Sequence, residues 1–256
     1  MSTLYQHFRP EERGFIDQVV EWKEQVEIQY AQKRTDFLDP REQHILFSII
    51  GTEGSVRVAF FPEKGERKRA LIYPDYYEPS EEDYGICLYE IHYPTKFVTI
   101  EHRQILGTLM SLGLKREKFG DILTEGERYQ LVAADEISGY LEMELQQIGK
   151  AKVSLEKRQA ADLFTSDEKW SENTATVSSL RLDVILSAIQ GVSRQKAQSL
   201  IKASLVKVNW KATESTSFEV EEGDVISTRG YGRSKLLTID GKTKRDKWRI
   251  TFGVLK

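Results

Sequence analysis

The sequence predicts an α+β chain in three parts, and three observations carry that prediction. Segments with apolar residues at helical spacing alternate with short runs rich in β-branched and aromatic residues. A Ser/Thr-rich stretch, Thr165–Ser179, interrupts both patterns. Charge is divided unequally on its two sides. At 256 residues the chain can hold two or three domains, each with its own core. Its 39% apolar and 30% charged residues are the composition of a globular protein rather than a disordered one.

The first part, residues 1–75, reads as an α/β subdomain. Pro10 suits a first helical turn, and Glu11 and Glu12 suit the positive end of the helix dipole. Phe15, Val19, Trp22 and Val26 then recur at helical spacing. Asp39-Pro40 opens a second helix, with Glu42 as capping-box partner and Gly51–Gly54 as its stop. Val56–Phe61 and Lys68–Tyr73 flank Glu63-Lys64-Gly65-Glu66 and read as a hairpin.

The second part, residues 76–164, follows Pro74 and the acidic turn Glu78–Asp83. It reads as strand Ile86–Tyr93, helix Glu101–Leu112, strands Asp121–Leu123 and Tyr129–Val132, helix Asp135–Ile148 and strand Lys152–Leu155. That βαββαβ order is the ferredoxin-like arrangement shared by RNA-recognition modules. Those modules stack bases on aromatic residues of their central strands. Here the matching strand, RYQLVAA, offers only Tyr129, so base stacking on this sheet has little support.

Residues 165–179 are expected to be a linker, and residues 180–256 a third domain of two short helices and a small sheet. Leu182, Ile185/Leu186 and Ile189 stripe the first helix, which Gly191 ends. Ser193 caps the second, with Ala197, Leu200 and Ile201 inward. Val206–Asn209, Phe218–Val220 and Val225–Thr228 follow as strands.

Several function classes lack their signatures. Apolar runs such as Ile45–Ile50 fall far short of a membrane span, and no secretory leader pattern opens the chain. With Cys87 alone, an internal disulfide and a thiolate zinc cage are excluded, and a buried structural thiol is expected. A cytoplasmic location without membrane insertion is the expectation. There is no phosphate loop, dinucleotide fingerprint or nucleophile elbow, and His7, His44, His92 and His102 show no ligand spacing. No catalytic residue, metal or cofactor is therefore assigned.

Charge is the positive signal. Residues 177–256 hold 15 Lys+Arg against 8 Asp+Glu, a balance of +7, whereas the rest hold 22 against 32, a balance of −10. A basic tail on an acidic body suits a polyanion. The candidate contacts are Arg181 at the first helix start, Arg194 and Lys196 in the first turn of the second helix and Lys202 in its last. Lys207 on a strand and Arg229, Arg233 and Lys235 around Gly230 and Gly232 complete the set. Cations at a helix N-terminus oppose the dipole, which points to a phosphate as their neighbour. In the acidic body, Arg67-Lys68-Arg69 and Lys115-Arg116 offer only local contacts.

The tail resembles an S4 domain, a small RNA-binding module. The resemblance rests on Arg181-Leu182-Asp183, Ser193-Arg194-x-x-Ala197, Val206-x-Val208-Asn209 and Gly223-Asp224-x-Ile226. Ser204 and Trp210 depart from it, each standing where glycine is usual. Upstream, YQHFRPEE, TDFLDPRE, ERKRALIYPDYY and LGTLMSLGLKREKFGDI extend the resemblance over nearly the whole chain, to the YlmH family of Gram-positive bacteria. That resemblance implies a non-enzymatic factor of ribosome-associated quality control. Such a factor binds rRNA and tRNA on the large ribosomal subunit carrying stalled peptidyl-tRNA, beside a quality-control factor, and supports alanine tailing. It also implies that the arginines at Arg181 and Arg194 face RNA. Two alternatives stay open: an RNA-modifying enzyme with an S4 targeting module, and a division-linked scaffold protein.

Overall fold

Pro10–Glu12 form a 3₁₀ turn that runs directly into α1 (Arg13–Gln29), as proline at a helix start requires. Val19 and Val26 are buried, and Phe15 and Trp22 pack beside them edge to face at 6.0 Å between ring centroids. The structure is a computed structural model and describes residues 4–165 and 170–255. The chain divides into two units, Met1–Ser166 and Asp167–Lys256, so the expected 1–75 and 76–164 parts lie in one unit.

β1 (Lys33–Leu38) was not expected from the sequence. Its charged residues and a bulge between Arg34 and Phe37 break the period of two that marks a strand. Past the bulge, Phe37 and Leu38 point to opposite faces of the strand and so enter two different cores. α2 (Pro40–Ile50) forms with its capping box closed: Asp39 accepts the Glu42 N–H at 2.9 Å, and Glu42 accepts the Asp39 N–H at 2.9 Å. β2 (Val56–Phe61) and β3 (Lys68–Pro74) make the expected hairpin, and β1 adds to the far edge of β3.

β4 (Ile86–His92), α3 (His102–Ser111), β5 (Phe119–Glu125) and β6 (Arg128–Ala134) follow. After them come α4 (Ser138–Glu144), a short hairpin of β7 (Gln147–Ile148) and β8 (Ala151–Lys152), and β9 (Ser154–Arg158). The sheet order β5-β6-β4-β9, antiparallel throughout, is the ferredoxin-like one. The expected helix Asp135–Ile148 is shorter: a 3₁₀ turn over Asp135–Ile137, then α4 ending at Glu144. Leu145 and Ile148 continue its apolar pattern, but Gly149 at φ 59° reverses the chain, and Ala151 returns to the same core. The expected strand Lys152–Leu155 is accordingly split between β8 and β9. Cys87 is half-buried rather than sealed; its thiol donates to Asp135 at 3.0 Å, and burial, then Asp135, pushes its pKa up to about 11.

The second unit holds β10 (Trp170–Val177), α5 (Leu182–Gln190), α6 (Arg194–Lys202) and β11 (Val206–Val208). β12 (Lys211–Ala212), β13 (Val225–Thr228), β14 (Gly232–Lys242) and β15 (Trp248–Leu255) complete it. The sheet is larger than the sequence suggests, six strands in the order β10-β15-β14-β13-β11-β12. Most of the expected linker is in fact β10, in unbroken register with β15 from Trp170 opposite Leu255 to Val177 opposite Trp248. Its Ser and Thr residues suit an edge strand with one solvated side, and Ala175 and Val177 reach the core. Residues 166–169 of that stretch lie outside the described residues. Phe218–Val220 is not a strand; it makes one isolated bridge, Glu219 with Arg181.

Candidate nucleic-acid interface

Asp183 is completely buried in the first turn of α5, and three side chains converge on it. Arg181 Nε donates to Oδ1 at 3.2 Å, Arg194 Nε to Oδ2 at 2.9 Å and Gln198 Nε2 to Oδ2 at 2.7 Å. Burial pushes this carboxyl's pKa upward, but the bonds from Gln198, Arg181 and Arg194 outweigh it and bring the pKa down to about 2. The local fold fixes the position. Arg181 is the extended N-cap of α5, and the N–H groups of Leu182 and Asp183 donate to Phe218 and Thr216. Arg194 opens α6, whose cap Ser193 accepts the Lys196 N–H at 3.2 Å.

The two arginine side chains nevertheless remain 40% and 53% exposed. Each bonds Asp183 through Nε, and among the described residues their Nη groups meet no protein acceptor. One buried carboxylate thus orients two guanidinium forks, the geometry that holds phosphate oxygens bidentately. Both arginines are therefore also part of the fold, which their absence from the apolar stripes had concealed.

The eight cations read from the sequence do not form one surface. Lys196 and Lys202 are exposed in the first and last turns of α6, the helix that Arg194 opens. Lys207 pairs with Ser227, and Ser227 with Arg233, so the three share a sheet face, with Lys235 two residues further along. Val206, Val208, Ile226 and Leu236 occupy the opposite face, in the core that α5 and α6 cover. Lys207, Arg233 and Lys235 therefore lie on the far side of the sheet from the helices. Arg229 sits in the β13–β14 turn beside Tyr231, its N–H donating to Leu205 at 2.9 Å. Sequence reasoning missed Gln198, whose only signal is its place one turn after Arg194. It also missed the dense cationic run Lys242–Arg249.

Ser204 and Trp210, the two departures from glycine, have φ of 54° and 65°. The backbone keeps the left-handed turns that glycine would accept most readily. Asn209 between them, at φ 47°, is buried and donates to Asp224 at 2.7 Å.

In the first unit the sheet face available to RNA-recognition modules is closed by the chain itself. Tyr129 is on the helix side, donating to the Ile100 carbonyl at 2.7 Å. Leu88, Glu90, Gln130 and Val132, on the other face, are at most 6% exposed. Phe37 packs there against Gly120 and Val132, while Gln130 bonds Asp162 and Phe164 at 2.9 and 2.8 Å. Arg67 and Arg69 are buried and bonded to the Phe37 and Thr35 carbonyls rather than offered to a ligand. Arg116 bonds the Phe119 and Gly120 carbonyls, and burial lowers its pKa to about 10.

Residues 79–162 match the family model described as a putative RNA-binding domain in YlmH, and residues 180–226 match the S4 domain. A solved structure of the cell division protein ylmH from Streptococcus pneumoniae is 38% identical. It covers 62% of this chain and 97% of its own, with a TM-score of 0.54. The ribosome-associated protein quality control protein P2 of Bacillus subtilis (strain 168) is 48% identical over 254 residues, 98% of either protein. With an S4 domain behind a YlmH RNA-binding domain, and a relative this similar over nearly its full length, the chain belongs to the YlmH family.

Proposed function

We propose that this protein is a non-enzymatic, cytoplasmic RNA-binding factor of ribosome-associated quality control. It docks through its S4 domain on the large ribosomal subunit carrying stalled peptidyl-tRNA, contacts rRNA and tRNA backbones, and supports alanine tailing of the stalled chain. The observation that carries the RNA contact is the pair of arginine forks held by Asp183. The ribosomal setting follows from the Bacillus subtilis relative, whose name is that of a ribosome-associated quality control protein.

The non-enzymatic reading has its own support. A cavity of about 530 Å³ in the first unit gathers Asp36, Arg69, Lys118 and Glu136, but these groups are spent on one another. Lys118 pairs with Asp36 at 2.6 Å and Glu136 at 3.0 Å, and Arg69 with Glu136 at 2.9 Å. Burial raises the Glu136 pKa, yet Arg69 and Lys118 hold it down to about 2. A general acid or base needs a pKa near the working pH, and this carboxylate is far from it.

The test is sedimentation of the full chain with large-subunit fractions, with and without peptidyl-tRNA. Wild type should sediment with the loaded subunits. Arg181→Lys with Arg194→Lys, which keeps a cation beside Asp183 but removes the forks, should bind about tenfold or more weakly. Equal binding by that folded variant would sink the arginine assignment. Failure of the wild type to sediment would sink the ribosomal one, and partner capture that survives nuclease would favour the division scaffold.

A further inference from the structure

The second unit carries a cationic feature that the arginine pair does not use, the tip of the β14–β15 hairpin. Lys242–Arg249 holds five Lys/Arg and one Asp in eight residues. That is +4 of the +7 balance of residues 177–256, although the matched S4 region ends at residue 226. Lys242 is engaged, with Asp246 at 2.7 Å and over the Trp248 ring at 5.2 Å. Lys244, Arg245, Lys247 and Arg249 are exposed, and among the described residues their side chains have no ion-pair or hydrogen-bond partner. Four unpaired cations within six residues repel one another, and an anion relieves that repulsion.

The tip is a formed turn. Thr243 N–H donates to the Lys247 carbonyl at 2.7 Å, Asp246 N–H to the Thr243 carbonyl at 2.9 Å, and Lys247 N–H to Thr243 Oγ1 at 3.2 Å. Trp248 anchors its base in the core of the unit. Little backbone ordering remains for a ligand to impose. Its place in the sheet is informative too. Arg249 pairs with Thr176 on β10, and five residues further along the chain stands Arg181. Chain length alone keeps the two backbones within about 23 Å, a span of fewer than roughly ten phosphates on one strand. No large apolar side chain is exposed on the tip, as a protein interface would require, whereas a phosphate backbone needs only charge.

The geometry points to the β14–β15 tip as a second phosphate-backbone site, in which Lys244, Arg245, Lys247 and Arg249 hold RNA beyond the reach of the Arg181–Arg194 pair. Arg249 acts from the sheet face it shares with Lys235, because its neighbours Trp248 and Ile250 point into the core. This rests on the RNA-binding reading above and extends it beyond the S4 motif.

The test uses the full chain and a labelled RNA stem-loop, titrated across a salt series. Replacing Lys244, Arg245, Lys247 and Arg249 together by alanine should leave the melting temperature unchanged. Affinity at about 0.1 M salt should fall at least tenfold, and the log–log salt slope should become shallower by about 3. Should that variant melt early, Lys244→Gln with Lys247→Gln should lower the slope by about 1.5. Unchanged affinity and slope, beside weakened binding by Arg181→Lys with Arg194→Lys, would overturn the tip site and leave the arginine pair standing. Loss of ribosome binding with the stem-loop still held would also overturn it, in favour of an acidic protein partner. A wild-type chain that binds no RNA would remove the underlying reading itself.

Discussion

Asp183→Asn tests the organisation of the S4 domain most directly. The change keeps the side chain's size and removes its charge. In the folded chain the carboxyl's pKa is about 2, against 3.8 for an unperturbed aspartate. A shift near two units corresponds to about 2 kcal/mol of stability at neutral pH. Asparagine keeps one carbonyl oxygen where Oδ1 accepts from Arg181 and Oδ2 from both Arg194 and Gln198, so at least one of the three donors is left facing an amide N–H. The expected loss is about 2–4 kcal/mol. Three of the four tryptophans, Trp170, Trp210 and Trp248, lie in the second unit, so urea unfolding followed by fluorescence reports on it. Its midpoint should drop in the variant. The pH dependence has a defined sign: a folded pKa below the unfolded one stabilises above about pH 4, and that stability is lost as pH falls toward 2. The wild-type second unit should lose stability across that window more steeply than the asparagine variant. The same midpoint and the same acid slope in both proteins would refute the assignment of Asp183 as the organiser.

Two further outcomes follow from packing. A Cβ on Gly120 would lie 2.9 Å from the Phe37 ring and 3.0 Å from Val132, so Gly120→Ala should destabilise the first unit by about 1–3 kcal/mol in thermal unfolding. An unchanged transition would mean that Phe37 does not close that sheet face. Asn209→Asp sets a second buried carboxylate at the 2.7 Å contact with Asp224, costing about 2–4 kcal/mol at neutral pH. Because one of two such carboxyls holds its proton to higher pH, the deficit should shrink on acidification below about pH 5; a deficit independent of pH would contradict the pairing.

Local signals were legible where they act locally. Asp39-Pro40 with Glu42 announced the α2 cap, Gly191 the end of α5 and Ser193 the start of α6, since each depends on neighbours a few residues away. β1 and β10 were not legible. Lys33–Leu38 is charged and bulged, and Trp170–Val177 is rich in Ser and Thr, so neither advertises a strand until β3 or β15 lies beside it. The helix expected through Ile148 failed for a related reason: its apolar residues do reach the core, but around a left-handed glycine rather than along one helix.

The candidate site divides in the same way. Composition and motif alone established a basic S4 module on an acidic body, because net charge and short-range spacing are properties of the chain itself. Tertiary structure decided which cations act together. Arg181, Arg194 and Gln198 meet because packing α5 against α6 buries Asp183, and a buried carboxylate must be paired. Lys207, Arg233 and Lys235 are parted from them because strand register, not sequence distance, assigns a side chain to one face of a sheet or the other.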